Sequence, residues 1–202
     1  SENYRLLKIR AELELGRYAD AQKTLDEALR RLPYSIQLRW IGRDVCRLND
    51  QPERAERFDD EITQMIQQGP WRYGDSVNQV LVGRFYLTQD IDAKKVLDFF
   101  GAVKKRQPSF TEAYLASGEL ALEKNDYALA AENFQQAVKI DGQDADAHFG
   151  LARAFAPSDS EKAEAAIKAA LERNPHHAGS LLLIAENHID SERYDDAAQA
   201  LA

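Results

Sequence analysis

The stretch TEAYLASGELALEKNDYALAAENFQQAVKIDGQD, residues 111–144, decides the fold of this chain. Its first part repeats apolar residues at three- and four-residue spacing around the small pair Ser117 and Gly118, which is the pattern of a helix that a neighbour can approach closely. After the short turn KND, a second helical pattern places alanines at the points where helices pack. Gly142 ends this second pattern, because glycine tolerates the left-handed conformation that caps a helix. The stretch therefore predicts two helices joined by a short turn.

The same pattern recurs along the chain. GRYADAQKTLDEALRRLPYS (16–35) aligns with NDYALAAENFQQAVKIDGQD (125–144), so that an aromatic residue, two alanines and a closing proline or glycine coincide. The sequence ERYDDAAQALA, at 192–202, begins in the same way. The residues that end the second helices follow one another at intervals of 37, 38, 34 and 33 positions: Pro33, Pro70, Pro108, Gly142 and Pro175. A helical pattern with such a period predicts a solenoid of stacked units.

Units of this length, with a small residue in the first helix, an aromatic at the turn, spaced alanines and a closing proline, resemble tetratricopeptide repeats (TPRs). The resemblance is strong at 111–144. It is weaker towards the N-terminus, where Lys8 and Ile9 replace the usual Leu-Gly or Leu-Ala pair and Arg43 lies near the small position of the next unit.

The resemblance covers nearly the whole chain and implies one all-α domain, a TPR-like α-solenoid. No alternating, β-rich run interrupts the helical pattern. We therefore expect about eleven or twelve antiparallel helices wound into a right-handed superhelix. The expected units are 2–35, 36–70, 75–110, 111–144, 145–177 and 178–202.

A second resemblance concerns NPHHAGSLLLIAENHIDSERYDDAAQAL, residues 174–201. This stretch is similar to the repeat region of large bacterial proteins whose later domain is a gluzincin-type metallopeptidase. The chain stops within a helical pattern, so we expect it to be part of a longer protein. The motif H-E-x-x-H, which such chemistry requires on one helical face, is absent from the sequence. The resemblance therefore carries no catalytic residue to this chain.

Composition and charge exclude several kinds of partner. With 44% hydrophobic and 30% charged residues, the chain is that of a folded protein. Residues 1–110 hold 19 Lys and Arg against 17 Asp and Glu, whereas residues 111–202 hold 7 against 17. The acidic second half disfavours a nucleic-acid partner, which needs a basic stripe along its phosphates. The sequence contains no run of roughly 18 uncharged apolar residues, so membrane insertion is not expected. The basic run KKRQ, at 104–107, is expected to be the solvated last turn of a helix.

Three of the four histidines lie close together in sequence, which raises the question of a metal site. His176 and His177 follow the closing Pro175, so they fall in the turn between units, at positions that accept many residue types. His188 falls on a bulky packing position of the next helix, roughly 16 Å from the turn. One small ion cannot bridge that distance, so neither a metal site nor another cofactor is expected.

Catalytic motifs are also absent. The sequence contains no G-x-x-x-x-G-K-[ST], G-x-G-x-x-G or G-x-S-x-G. The single cysteine, Cys46, falls on an apolar packing position of a helix, and one cysteine excludes an internal disulfide. The acidic clusters at 59–61 and 190–192 fit a solvated helix face and a helix N-terminus. We therefore expect no catalytic residues and no enzymatic activity.

The TPR resemblance implies a concave groove, lined by the first helix of each unit, that binds extended or helical segments of other proteins. Groove positions transferred unit by unit form two adjacent rows, one helical turn apart. The apolar row is Leu6, Trp40, Val80, Leu115, Phe149 and Leu182, and the charged row is Arg10, Asp44, Arg84, Glu119, Arg153 and Glu186. An alternative for part of the apolar row, such as Leu6 and Leu182, is that it fills space between adjacent first helices.

These observations predict a non-catalytic protein-interaction scaffold. Its groove would take an apolar or amphipathic segment that carries some positive charge towards the acidic C-terminal end. The alternative is a structural spacer or self-association arm of a larger multidomain protein, such as a metallopeptidase. A protein or peptide partner is expected in the first case and a second copy of the chain in the other.

The segment QQGPWRYGDS, residues 67–76, predicts the longest connection between units, because two glycines and a proline interrupt both neighbouring helices. Trp71 and Tyr73 within it either pack against the helices or stand exposed as a contact site. We favour packing for both rings.

Overall fold

The computed structural model describes residues 1–89 and 91–201. Over those residues it contains twelve α-helices, one short 3-10 helix at Pro70–Tyr73 and no strand, which confirms the predicted all-α fold. The α-helices are α1 (Glu2–Glu14), α2 (Tyr18–Arg31), α3 (Ile36–Leu48), α4 (Pro52–Gln68), α5 (Ser76–Thr88), α6 (Ala93–Arg106), α7 (Thr111–Glu123), α8 (Tyr127–Ile140), α9 (Ala145–Phe155), α10 (Ser160–Arg173), α11 (Ala178–Asp190) and α12 (Tyr194–Ala200). None of these helices is long and apolar enough to cross a membrane.

The chain forms two compact units, Ser1–Val82 and Gly83–Ala202. In the first unit α1 packs on α2, α2 on α3 and α3 on α4, and α1 also contacts α3. In the second unit every helix from α6 to α12 packs on its neighbours in sequence, and α7 also contacts α9. Each unit is therefore a stack of helical pairs in which the first helices of adjacent pairs meet, which is the packing of a solenoid.

Four of the turns within helical pairs, among the residues described, share one backbone conformation. Each contains a residue in the left-handed region: Gly16 (φ 68°), Asp50 (φ 55°), Asn125 (φ 57°) and Glu192 (φ 58°). The amide of the next residue donates to a carbonyl five residues earlier, as from Arg17 to Glu12 at 2.8 Å. This bond satisfies a carbonyl that the end of the first helix leaves free, and the chain then enters the second helix.

Small residues in the first helices make room for aromatic rings of the second helices. The Phe134 ring of α8 lies between Gly118 of α7 and Gly150 of α9. A Cβ atom would lie 2.8 Å from this ring at Gly118 and 2.2 Å from it at Gly150. Phe134 is 2% exposed and belongs to a core cluster shared by the three helices. The small position predicted from the sequence is thus the point where the ring of the second helix packs against the first helix.

The connection after α4 differs from the expectation for one of its two rings. Tyr73 is 6% exposed, and its hydroxyl donates to the carbonyl oxygen of Tyr34 at 3.2 Å. Trp71 is 75% exposed, so the prediction that it packs against the helices is wrong. Both residues belong to a 3-10 helix, which has about three residues per turn, so side chains two positions apart face different directions.

The basic run at 104–107 also differs from its expectation. Lys105 and Arg106 are exposed, but Lys104 turns inward from α6. Its ammonium donates to Ser117 Oγ at 3.0 Å and to Asn133 Oδ1 at 2.8 Å. The prediction of a fully solvated last turn is therefore wrong at Lys104, which joins α6 to both helices of the following pair.

Candidate protein-binding surface

Trp40 lies on α3 beside a shallow cavity of about 220 Å³ in the first unit. The cavity also contains Arg10 of α1 and Asp44 of α3, so the structure brings together three residues that the sequence placed in the groove of the first two pairs. The Trp40 side chain is half-buried. Glu14 of α1 also lines the cavity, so this surface offers an indole ring beside one basic and two acidic side chains.

The Arg43 side chain packs over the Trp40 ring. Its guanidinium lies 4.4 Å from the ring centre, within the range of a cation–π contact. Arg43 also forms an ion pair with Asp59 of α4, with 2.9 Å between Nε and Oδ1. Burial lowers the pKa of the Arg43 guanidinium, and the Asp59 charge opposes that effect. The arginine noted near the small position of this unit therefore fixes Trp40 and ties α3 to α4.

The remaining apolar residues of the predicted row differ in exposure. Val80 is 1% exposed and Leu115 is 7% exposed, so both lie within the helical packing. Leu6 packs partly against the core of the first unit. Phe149 is half-buried on α9, and Leu182 is 52% exposed on α11. In addition to Trp40, the residues that offer apolar surface to a partner are therefore Phe149 and Leu182.

Carboxylates surround Arg84 in the second unit. Arg84, on α5, forms ion pairs with Glu119 at 2.8 Å and with Glu112 at 3.3 Å, both on α7. Burial raises the pKa of the Glu119 carboxyl, the Arg84 charge lowers it, and the charges of Glu112 and Asp146 raise it further. Two carboxylates thus share a single guanidinium, and this part of the surface has an excess of negative charge.

Phe149 lies at the meeting point of α9 and α11. The guanidinium of Arg153 is 5.9 Å from its ring centre, and the imidazole of His177 is 5.1 Å from it. Gly179 allows the contact, because a Cβ atom there would lie 2.8 Å from the Phe149 ring. Arg153 itself is exposed, as is Glu186 on α11.

His177 has a defined role that the sequence interpretation missed. It is the N-cap of α11, where its Nδ1 accepts a hydrogen bond from the amide of Ser180 at 3.1 Å. Its Nε2 lies 3.0 Å from a carboxylate oxygen of Asp146, on α9. The signal that could have identified it is an acceptor side chain at the residue before a helix, with the third residue of that helix free to donate.

The other two histidines of this stretch have surroundings that differ from those of His177. His176 is exposed, and His188 is half-buried with an Nδ1 that has no hydrogen-bond partner among the described residues. Across residues 1–89 and 91–201, no group of three His, Cys, Asp or Glu side chains is arranged to hold a metal ion.

Comparisons with known proteins relate this chain to one repeat family. A model described as "TPR repeat" matches residues 112–156, and one described as "Tetratricopeptide repeat" matches residues 6–43 and 158–202. Together these matches extend over more than half of the chain. No curated protein matches the sequence significantly.

Solved structures of such repeats resemble this one in fold. A thermophilic TPR protein of Thermus thermophilus superposes with a TM-score of 0.64 at 16% identity, covering 98% of this chain and 100% of that one. PilW, a type IV pilus biogenesis factor, superposes with a TM-score of 0.61 at 15% identity, covering 98% and 90%. MamA of Desulfovibrio magneticus RS-1 superposes with a TM-score of 0.52 at 20% identity, covering 82% and 90%.

Proposed function

Because this chain is built of tetratricopeptide repeats and belongs to that repeat family, whose members generally act as protein-interaction scaffolds, we propose that it is a non-catalytic scaffold. Its first helices bind an apolar or amphipathic segment of a partner protein. The observation that carries this proposal is the presence of two half-buried aromatic rings, Trp40 and Phe149, on first helices, each with a guanidinium against it. Aromatic residues of this kind supply much of the binding energy at protein interfaces.

Charge on the second unit supports a further feature of the partner segment. Glu119 and Glu112 share one guanidinium, and burial raises the pKa of the Glu119 carboxyl although its side chain is still 42% exposed. A lysine or arginine of the partner, placed near Glu119, would supply the missing positive charge. A segment that fits the second unit, with Phe149 and Glu119, therefore combines apolar side chains with at least one basic residue.

A peptide selection on the purified chain tests the proposal. Peptides selected from a random library should be rich in apolar and basic residues, and Trp40→Ala should weaken their binding at least about tenfold, because interface tryptophans are often hot spots. Tyr127→Ala is the matched control, since Tyr127 is a partly exposed aromatic residue of α8, a second helix, that lines neither this surface nor the other cavity of the first unit. Equal binding to the two variants, or a selection that yields no peptide, would refute the scaffold proposal.

Glu119→Gln tests the charge of the partner separately. The substitution keeps the shape of the side chain and removes its charge, so selected peptides should bind the variant more weakly in proportion to their basic residues. A basic peptide and its version with glutamine at the basic positions should then differ less in affinity on the variant than on the unmodified chain. Unchanged discrimination would place the basic contact elsewhere.

A second candidate function is a structural spacer or self-association arm within a larger multidomain protein, of the kind that carries a metallopeptidase domain. Exposed apolar side chains in the last helical pair favour it: Leu182, Ile189 and Leu201 are each about half-exposed. Sedimentation over a range of concentrations should then show dimers that Ile189→Ser reduces. A spacer would also tolerate Trp40→Ala without loss of any partner.

A further inference from the structure

A second cavity, of about 430 Å³, lies in the first unit where α2 ends and α3 begins. Arg31 and Tyr34 line one part of it, Arg72 of the 3-10 helix lines another, and Glu2 of α1 completes it. Its volume is within the range of about 300–1,000 Å³ that is usual for ligand pockets. It shares no lining residue with the cavity at Trp40, so it is a separate surface from the one in the proposed function.

The charged groups of this cavity differ in whether they have a hydrogen-bond or ion-pair partner among the described residues. The Glu2 carboxylate accepts a hydrogen bond from the Ser35 hydroxyl. Among the described residues, no carboxylate lies within ion-pair distance of Arg31 or Arg72, whereas several other arginines of the chain have such partners. The cavity therefore presents two guanidinium groups that have no ion-pair partner among the described residues.

Arg72 is held in a fixed orientation. Its guanidinium lies 4.4 Å from the centre of the Tyr34 ring, which is itself 64% exposed. Gly69 gives the Arg72 side chain room to fold back, since a Cβ atom there would lie 3.3 Å from Arg72 Cδ. A guanidinium stacked on a ring keeps its N–H groups in its own plane, where a carboxylate can accept two of them together.

An apolar contact is available beside these charges. Trp71, next to Arg72 in the same 3-10 helix, has 75% of its surface exposed. The Tyr73 hydroxyl donates a hydrogen bond to the Tyr34 carbonyl oxygen at 3.2 Å. This bond ties the 3-10 helix to the start of α3. Tyr34 lines the cavity together with both arginines, and Trp71 is the exposed residue next to Arg72 in the tethered 3-10 helix.

We propose that this cavity, the arginine pocket, binds an acidic segment of a partner protein. A carboxylate of that segment lies between Arg31 and Arg72, and a neighbouring apolar side chain packs on Tyr34. Charge complementarity selects this occupant, because the cavity contains two guanidinium groups without an ion-pair partner among the described residues and one carboxylate that already has a partner.

The fluorescence of Trp71 reports binding directly. The chain has two tryptophans, so Trp40→Phe leaves Trp71 as the sole emitter. The probe is a capped hexapeptide of alternating glutamate and leucine, and the control is the same peptide with glutamine for glutamate. We expect a saturable change in Trp71 emission with the acidic peptide and no change with the glutamine control.

Four variants, each made in the Trp40→Phe chain, assign the contact. Arg72→Gln and Arg31→Gln should each weaken binding about tenfold, the usual effect of losing a charge-assisted hydrogen bond. Arg30→Gln, the matched control, removes an exposed guanidinium at the same helix end that does not line the pocket. Glu2→Gln should strengthen binding, because it removes the one carboxylate of the pocket.

Several results would overturn the proposal. These are the absence of binding at millimolar peptide, equal weakening by Arg30→Gln and Arg72→Gln, and equally tight binding of a short oligonucleotide. A change in Trp71 emission with protein concentration alone would instead place a second copy of the chain in the pocket. If circular dichroism shows that Arg72→Gln is unfolded, Arg72→Lys replaces it and should weaken binding while keeping the charge.

Discussion

At the scale of single residues, the left-handed position of the pair turns has a measurable cost. The left-handed region costs most residues roughly 1–2 kcal/mol, and glycine avoids this cost. Gly16 occupies the position in the first turn, but Asp50 and Glu192 occupy it in later ones. The bond to the carbonyl five residues earlier therefore stabilises a conformation that these side chains disfavour.

Gly16→Ala should lower the free energy of unfolding by about 1 kcal/mol, because alanine is strained at positive φ. Gly101→Ala is a matched control with the opposite sign. At both glycines a Cβ atom would meet no other atom within 4 Å, but Gly101 lies inside α6 without a positive φ. Alanine there should add about 0.5–1 kcal/mol. Urea denaturation followed by circular dichroism measures both, and equal effects would contradict the argument.

Some residue roles could be read from the sequence, and others depended on neighbours that are distant in the chain. Gly16 and Asn125 are residue types that often adopt the left-handed conformation, so their turns were predictable. Hydrophobicity alone predicted burial for Trp71, but the tight 3-10 turn leaves room inside for one ring, which is Tyr73. The contact of His177 with Asp146 of α9 depended on the fold, whereas its N-cap position did not.

At the scale of helices, Lys104 connects α6, α7 and α8 through hydrogen bonds to Ser117 and Asn133. Besides accepting from Lys104, Ser117 Oγ donates to the Ala113 carbonyl at 2.8 Å, and the Asn133 amide donates to the Leu129 carbonyl at 2.8 Å. Burial lowers the pKa of the Lys104 ammonium below its ordinary value of 10.5, and the Glu132 charge opposes this. Lys104, Ser117 and Asn133 therefore each have hydrogen-bond partners, but burial leaves the Lys104 ammonium less well solvated than in the unfolded chain.

This arrangement predicts a pH dependence of stability. Between the lowered pKa and 10.5, the unfolded chain binds more protons than the folded chain, so the free energy of unfolding rises with pH in that window. Urea midpoints of the unmodified chain should therefore increase relative to those of Lys104→Gln as the solution is made alkaline. Lys105→Gln, at an exposed neighbour, should leave the pH dependence unchanged. A relative decrease would refute the assignment.

The helices themselves were predictable, because a repeated period with turn signals indicates both their type and their order. Which residues of each helix are exposed was less predictable. Val80 and Leu115 belong to the same row as Trp40 in the sequence alignment, yet they are buried. Periodicity gives the direction of a side chain relative to its own helix, whereas exposure depends on how closely the next first helix approaches.

At the scale of the whole molecule, each helical pair relies on the next for cover. Leu183 and Ile184 of α11 pack against the cluster of Ala152, Ala166 and Ile167. The turn between α9 and α10 also lacks a left-handed residue, in contrast to four other pair turns. The pair formed by α9 and α10 therefore has little support of its own.

Deleting residues 178–202 should expose this pair. Full burial of one aliphatic side chain contributes about 1.5–3 kcal/mol, so amide protection in α10 should fall more than about tenfold while α7 and α8 remain protected. A shorter deletion, of residues 191–202, keeps Leu183 and Ile184 and is the control. Hydrogen exchange measures each. Unchanged protection of α10 after the longer deletion would show that the pair is stable alone.

The position of Phe134 between two glycines has a consequence for motion. A ring enclosed by the backbones of α7 and α9 can rotate by a half turn only when those helices separate briefly. Its two edges should therefore give distinct or broadened nuclear magnetic resonance signals at low temperature, whereas the half-exposed Phe149 ring should give averaged ones. The rate of Phe134 ring rotation therefore measures how often α7 and α9 separate transiently.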